Sequence, residues 1–252
     1  VHVFAGQGDA SRSMALLWGP PPEPRRAPGP RPTLTLDAIV AAAIEVADAG
    51  SLAGLSMRTV AERLGCSSMA LYTYVPGKAE LLDLMYDRAH AELLGEARES
   101  GTWREAVTAW AHDLRAFYLR HPWVVQVSYA RPVLGPNEQA VLERLLEILE
   151  GAGLPARTLR GVVSTLFHYV RGNAQTAAEA RQAASATGVP DQQWWIDRAS
   201  RLAKLAPDFA ERFPRSARLS RETSGIGHPA AIEDVFTVGL AVLLDGIEAA
   251  SR

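Results

Sequence analysis

Between Gly65 and Pro76 the chain carries Ser67, Ser68, Met69, Ala70 and Thr73, small or modest side chains that fall together on one side of a short helix. Their chemistry suits close approach to a nucleic-acid groove. Hydroxyls donate to phosphate oxygens, methyl groups meet the thymine methyl, and nothing bulky holds the surfaces apart. Leu71 and Val75 fall on the opposite side, so the segment has one solvent-facing and one inward face. A competing reading makes Met69 and the neighbouring Tyr72 and Tyr74 core residues of a small helical domain. Catalytic chemistry has little support. G-x-S-x-G, H-E-x-x-H and a P-loop are absent, Gly77-Lys78 lacks the glycine-rich run of a phosphate loop, and Gly6 and Gly8 have no strand and helix around them. No enzyme is expected. His2, His90, His112, His121, His168 and His228 show no metal-ligand spacing, so neither a metal nor a cofactor is expected.

The elements that must position this segment read as helices. Leu36, Ile39, Val40, Ala43, Ile44 and Ala47 share one helical face, with Thr35 able to cap its start and Gly50 its end. A second, short helix begins at Ser56, turns Val60, Ala61 and Leu64 inward and closes at Gly65 in a left-handed conformation. After the turn Gly65-Cys66-Ser67 a third helix runs to about Val75, stopped by Pro76 and Gly77. These are helix-turn-helix dimensions, in which the second helix enters the major groove. Cys66 reads as a small packing residue in the turn, and a single cysteine fits a reducing compartment.

Further helices are predicted over 78–98, from Trp103 behind the capping pair Thr102 and Glu105, and over 122–130, 137–150, 155–182, 191–205 and 229–250. In the last, Ile232, Val235, Val238, Val242, Leu243 and Ile247 are taken to face inward. Residues 206–228 read as an irregular connection. No stretch alternates long enough for a sheet, so the fold class is all-α. Seven of 16 prolines lie between Pro20 and Pro32, interleaved with Arg25, Arg26 and Arg31, which reads as a leader without a core over residues 1–32. The arginines offer a second reading, an arm lying along DNA. The division expected is a leader at 1–32, a helix-turn-helix domain at 33–80 and a larger helical domain at 81–252.

The run from Ser56 to Asp83, with Leu71-Tyr72-x-Tyr74-Val75, Lys78 and Leu81-Leu82 as its strongest marks, resembles the DNA-binding segment of the tetracycline-repressor family. That resemblance implies that Arg58 reaches a base or phosphate, that Ser68, Met69 and Ala70 read bases, and that Tyr72, Thr73, Tyr74 and Lys78 hold the backbone. The net charge of −2 gives no independent support. Leu34 to Arg88 holds four basic residues against seven acidic ones, so a DNA claim rests on the local motif alone.

The resemblance extends through Arg131-Pro132, through Phe167 to Gly172, and through Phe236 to Glu248, which is similar to a dimerisation helix. It implies a homodimeric regulator on palindromic operator DNA, a repressor by family habit, released by a small molecule. The interface expected buries Val162, Val163, Leu166, Val170, Val235, Val242 and Leu243, with Gly239 and Gly246 allowing close approach. Trp110, Phe117, Tyr129, Arg131, His168 and Asn173 are the candidate effector contacts. The tetracycline repressor holds its drug-bound magnesium with a histidine four residues before Arg-Pro. Here that position is Val127, which points to another, mostly apolar effector. No apolar run reaches the ~20 residues of a membrane span, and the cytoplasm is the expected location. The alternative function is a helical small-molecule-binding protein without DNA binding.

Overall fold

The structure is a computed structural model and describes residues 3–19, 34–95, 101–223 and 229–251. Arg25, Arg26 and Arg31 lie outside the described residues. Among those described the regular elements are helical, apart from one isolated bridge between Val3 and Val127. None of the helices is long and apolar enough to cross a membrane. The chain divides into two compact units, Val1–Val163 and Ser164–Arg252.

In the first unit α1 spans Ala10–Trp18, α2 Leu36–Gly54, α3 Met57–Leu64, α4 Ser68–Tyr72 and α5 Lys78–His90; α6 is Trp103–Arg120 and α7 Pro136–Glu150. The boundary predicted at residue 80 falls inside α5, which packs against α1, α2 and α7 alike. Such a helix is buried nearly all round. Leu81, Leu82, Leu84, Met85, Tyr86 and Ala89 are inaccessible, and so are Glu80, Asp83 and Asp87. Buried carboxylates persist only when hydrogen-bonded. Asp87 accepts from the Asn137 backbone N–H at 2.9 Å and side-chain amide at 2.7 Å and from the Glu138 N–H at 3.0 Å. It thereby caps α7, whose own N-cap residue, Gly135, has no side chain to do so.

The first part of the leader is not coreless. Asp9 caps α1, and the segment straps α5 to the connection after α6. Asp83 accepts from the Gly6 N–H and the Ser13 hydroxyl, both at 2.9 Å, and Glu80 accepts from the Asp9 N–H at 3.1 Å. Val3 exchanges backbone bonds with Gln126 and Ser128 at 2.9 and 2.7 Å, and Trp18 donates to the Leu134 carbonyl at 2.9 Å. A helix of nine residues burying only Ser13 is too short to stand alone, and tertiary hydrogen bonds hold it in place. The same strap explains why 122–130 is no helix. Only a 3-10 turn forms, Val124–Gln126, and then the chain extends to meet Val3.

The second unit holds α8, which begins in the first unit and spans Ala156–Thr187, then α9 (Asp191–Leu205), α10 (Phe209–Arg212), α11 (Pro214–Glu222) and α12 (Pro229–Ala250). The predicted irregular stretch 206–228 thus contains two short helices among its described residues. The inward face of α12 also needs correction. Phe236, Leu240, Leu244 and Ile247 are buried, whereas Val235, Val238 and Val242 are 63%, 56% and 64% exposed. Both faces of this helix are apolar, so its periodicity fits either rotation. Tyr169 on α8 fixes the choice. Its ring stacks on Phe236 at 5.6 Å, and its hydroxyl donates to the Phe236 and Val235 carbonyls at 2.7 and 3.2 Å. Gly239 lies beneath that hydroxyl, where an added Cβ would collide with it.

Candidate nucleic-acid interface

The site is built by α3, α4 and the turn between them. Ser56 opens α3 with a reciprocal cap: its hydroxyl accepts from the Thr59 N–H at 3.1 Å while the Thr59 hydroxyl accepts from the Ser56 N–H at 2.9 Å. Met57, Val60 and Ala61 seat the helix. Gly65 ends it at φ +66°, the left-handed conformation predicted from its position, and Cys66 then donates back to the Ala61 carbonyl at 3.0 Å. Cys66 is half-buried there.

Ser67 caps α4, its hydroxyl accepting from the Ala70 N–H at 3.3 Å. A helix of five residues cannot stand alone, and Leu71 and Val75, both fully buried, anchor it. α4 ends at Tyr72 rather than near Val75, because Tyr74 and Val75 both donate to the Leu71 carbonyl at 2.9 Å and tighten the last turn ahead of Pro76. The opposite side is open. Met69 is 74% and Tyr72 45% exposed, Ser67 and Thr73 are exposed, and Ser68, Ala70 and Tyr74 are half-buried. Lys78 starts α5 at the edge of this face, its ammonium 3.5 Å from the Leu52 carbonyl. Arg58 is exposed on α3 and bonded to Glu62 at 2.8 Å, a contact that pushes the guanidinium's pKa further up. The nine residues singled out for this chemistry therefore sit on α3, on α4 with its flanks, or at the start of α5, and none is fully buried.

The candidate effector contacts are divided between the two units. Trp110, Phe117, Tyr129 and Arg131 belong to the first unit, His168 and Asn173 to the second. Phe117 is core, packed against His90 at 5.1 Å and His121 at 5.3 Å between ring centres. Trp110 is nearly buried, Tyr129 half-buried, and Arg131 is exposed with its guanidinium 5.9 Å from the Phe4 ring. His168 is exposed and bonds to the Ser164 carbonyl one turn earlier at 2.6 Å. Asn173 is half-buried. Val127, in place of the magnesium-binding histidine, is buried at the bridge to Val3.

Sequence reasoning passed over the polar cluster at the end of α6, where His121 lies between Asp48 and Glu92. Pro122 marks the helix end, but only folding brings residues 48, 92 and 121 together.

The family model for bacterial regulatory proteins of the tetR family matches residues 39–85, the span from within α2 to within α5. The model for the tetracyclin repressor-like C-terminal domain matches residues 95–251. The chain belongs to the TetR family. The HTH-type transcriptional repressor DrrR1 of Streptomyces coeruleorubidus is 41% identical over 245 residues, covering 97% of this chain and 87% of that protein. An HTH-type transcriptional regulator of Saccharopolyspora erythraea is 34% identical over 143 residues, covering 57% of this chain and 61% of its own. Among solved structures, the TetR family protein ActR of Streptomyces coelicolor in complex with actinorhodin superposes with a TM-score of 0.69 at 27% identity. That match covers 87% of this chain and 99% of ActR. As a TetR-family protein the chain is a DNA-binding transcriptional regulator with an amino-terminal helix-turn-helix and a larger helical carboxy-terminal region.

Proposed function

We propose that the chain is a homodimeric repressor that places α4 of each protomer in successive major grooves of a palindromic operator and leaves the operator when a mostly apolar small molecule binds. The observation that carries this reading is α4 itself, five residues anchored by buried Leu71 and presenting Met69 and Tyr72 to solvent. In this reading Ser68, Met69 and Ala70 meet base edges, whereas Arg58, Ser67, Tyr72, Thr73, Tyr74 and Lys78 contact phosphates. Met69 and Ala70 provide methyl contacts and no bidentate hydrogen bonds. Two-fold symmetry sets the half-sites one helical turn apart, roughly 34–36 Å.

The second copy covers the valine stripe of α12. Val235, Val238 and Val242 recur at helical spacing on the exposed side of α12, and an isologous contact buries the same stripe from both protomers. Leu166 and Val170, expected in this interface, are already buried within one copy, so the contact rests on the valines. The effector is a mostly apolar small molecule, and a regulator of similar fold, ActR, is known in complex with one small molecule, actinorhodin. Trp110 on α6 supplies an apolar wall and Tyr129 and Arg131 polar contacts, a division suited to a ligand of that kind. Effector affinity that differs between operator-bound and free protein shifts the population, and α5 carries the change from the helical body to the head.

The test is selection of bound fragments from genomic DNA, followed by titration of the recovered operator complex with actinorhodin as a probe ligand. Enrichment of one inverted repeat whose complex the probe dissociates supports the reading. Recovery of sequence-random DNA would remove the operator claim, and a complex indifferent to the probe would remove the proposed effector class.

A further inference from the structure

His121 is the residue at which three helices of the first unit meet, and nothing in its immediate sequence announces it. It caps the end of α6 just before Pro122 and is 4% exposed. Its Nδ1 lies 2.8 and 3.0 Å from the two carboxylate oxygens of Asp48, near the end of α2, and its Nε2 lies 3.1 Å from Glu92, in the 3-10 turn that follows α5. Each ring nitrogen therefore lies within hydrogen-bond reach of a carboxylate from a different element. The charged groups around the ring are Asp48 from α2, Glu92 from the turn after α5, and Arg120 from α6, which bonds Glu92 at 3.0 Å. Trp123, fully buried, donates a further 2.8 Å bond to Asp48. Phe117 and Trp123 close the ring's sides.

We propose that His121 is a positioning residue for operator binding: with one ring nitrogen on Asp48 and the other on Glu92, it fixes the reading head on the end of α6. The reason lies in what α2 carries. α2 packs on α3 and is joined to it by the Glu45–Arg63 ion pair, and α3 packs on α4, so the end of α2 sets the attitude of the reading helix. Asp37 at the other end of α2 bonds Arg88 of α5 at 3.2 Å, but that pair is exposed and screened. The link through His121 differs in having a buried imidazole at its centre, with Asp48 and Glu92 part-exposed on either side. A displacement of the α6 end therefore acts on the first helix of the head directly as well as through α5. This inference rests on the operator-binding dimer proposed above.

Two variants and three readouts test it. His121→Phe keeps the ring packed against Phe117 and Trp123 and removes every hydrogen bond of the imidazole. Asp48→Asn changes a part-exposed position and removes the charge. In His121→Phe, amide hydrogen exchange over residues 44–50 rises at least about tenfold while α8 residues 166–178 stay protected, and Asp48→Asn shows the same pattern more weakly. Operator affinity falls about tenfold. Nitroxide labels on Cys66, the single cysteine of the chain, report the spacing of the two heads by pulsed dipolar spectroscopy. That distribution broadens in both variants. Unchanged exchange over 44–50, or exchange that rises equally in α8, overturns the proposal, the second outcome marking general destabilisation. Absence of any dipolar signal in the unmutated protein sinks the dimer reading instead, and the exchange measurement, which needs no dimer, still decides the role of His121.

Discussion

Residues 69 and 71 are two positions apart on α4 and face opposite ways, so truncating each to alanine separates reading from folding. Leu71 is fully buried, and Leu71→Ala loses its transfer free energy and leaves a cavity, together about 2–5 kcal/mol. For a cooperative unit of this size that lowers the melting temperature by roughly 4–20 °C. Met69 is 74% exposed, so Met69→Ala changes stability by no more than about 0.5 kcal/mol. Its cost appears on DNA. Losing an apolar contact with a thymine methyl reduces operator affinity by about 1 kcal/mol, or ~5-fold, on the scale of one buried methylene, with affinity for random duplex unchanged. The assay is fluorescence anisotropy on the selected operator and on a scrambled duplex of equal length, beside thermal melts of both variants. A Met69→Ala protein that binds operator as tightly as the parent, or that melts as early as Leu71→Ala, refutes the placement of this face in the groove.

Glu62→Gln removes an exposed carboxylate and frees Arg58, so operator binding tightens a few-fold at low salt and less at high salt, checked by a salt titration of the same anisotropy assay. Gly65→Ala places a Cβ at φ +66° and costs about 1 kcal/mol, visible as a lower denaturant midpoint with an unchanged slope. Val242→Asp sets a charge in the exposed valine stripe of α12, and light scattering is expected to show monomers that keep their helical circular dichroism. Burial pushes the Asp83 carboxyl up, a rise the Glu80 charge reinforces and the Gly6 N–H and Ser13 hydroxyl oppose. The folded protein then holds that proton to a higher pH than the unfolded chain does. Stability contributed at this site falls as pH rises from the ordinary aspartate range through the raised value, with a slope of at most ~1.4 kcal/mol per pH unit. Asp83→Asn flattens that part of a stability-against-pH curve, measured by urea melts.

The reading head was legible because its signals are local. Thr35 as a cap and Gly65 as a left-handed stop each act within a few residues, and each stands where the pattern puts it. What the pattern could not supply depends on partners far along the chain. The strap is held by contacts from residue 6 to 83, 9 to 80 and 18 to 134. The rotation of α12 depends on Tyr169, 67 residues before Phe236. A helix apolar on two faces carries no sign in its sequence to say which face the same copy buries and which it leaves open.

The acidic excess of the head, the one feature of the sequence that argued against DNA, loses its force once each carboxylate is placed. Asp37 pairs with Arg88, Glu45 with Arg63, Glu62 with Arg58, and Asp48 with His121. Glu80, Asp83 and Asp87 are buried in α5, where they accept hydrogen bonds from the strap and from the start of α7. No carboxylate occurs between Glu62 and Glu80, the stretch that contains the turn, α4 and its exposed hydroxyls. A phosphate approaching this face therefore meets Lys78, hydroxyl groups and a paired arginine, with four of the seven acids engaged by cations or His121 and three facing the interior. A charge count over a whole domain averages groups that hold the fold together with groups that meet the partner. In this chain the carboxylates mostly serve the fold, and the surface left around α4 is close to neutral, so specificity must come from shape and apolar contact more than from a strong positive field.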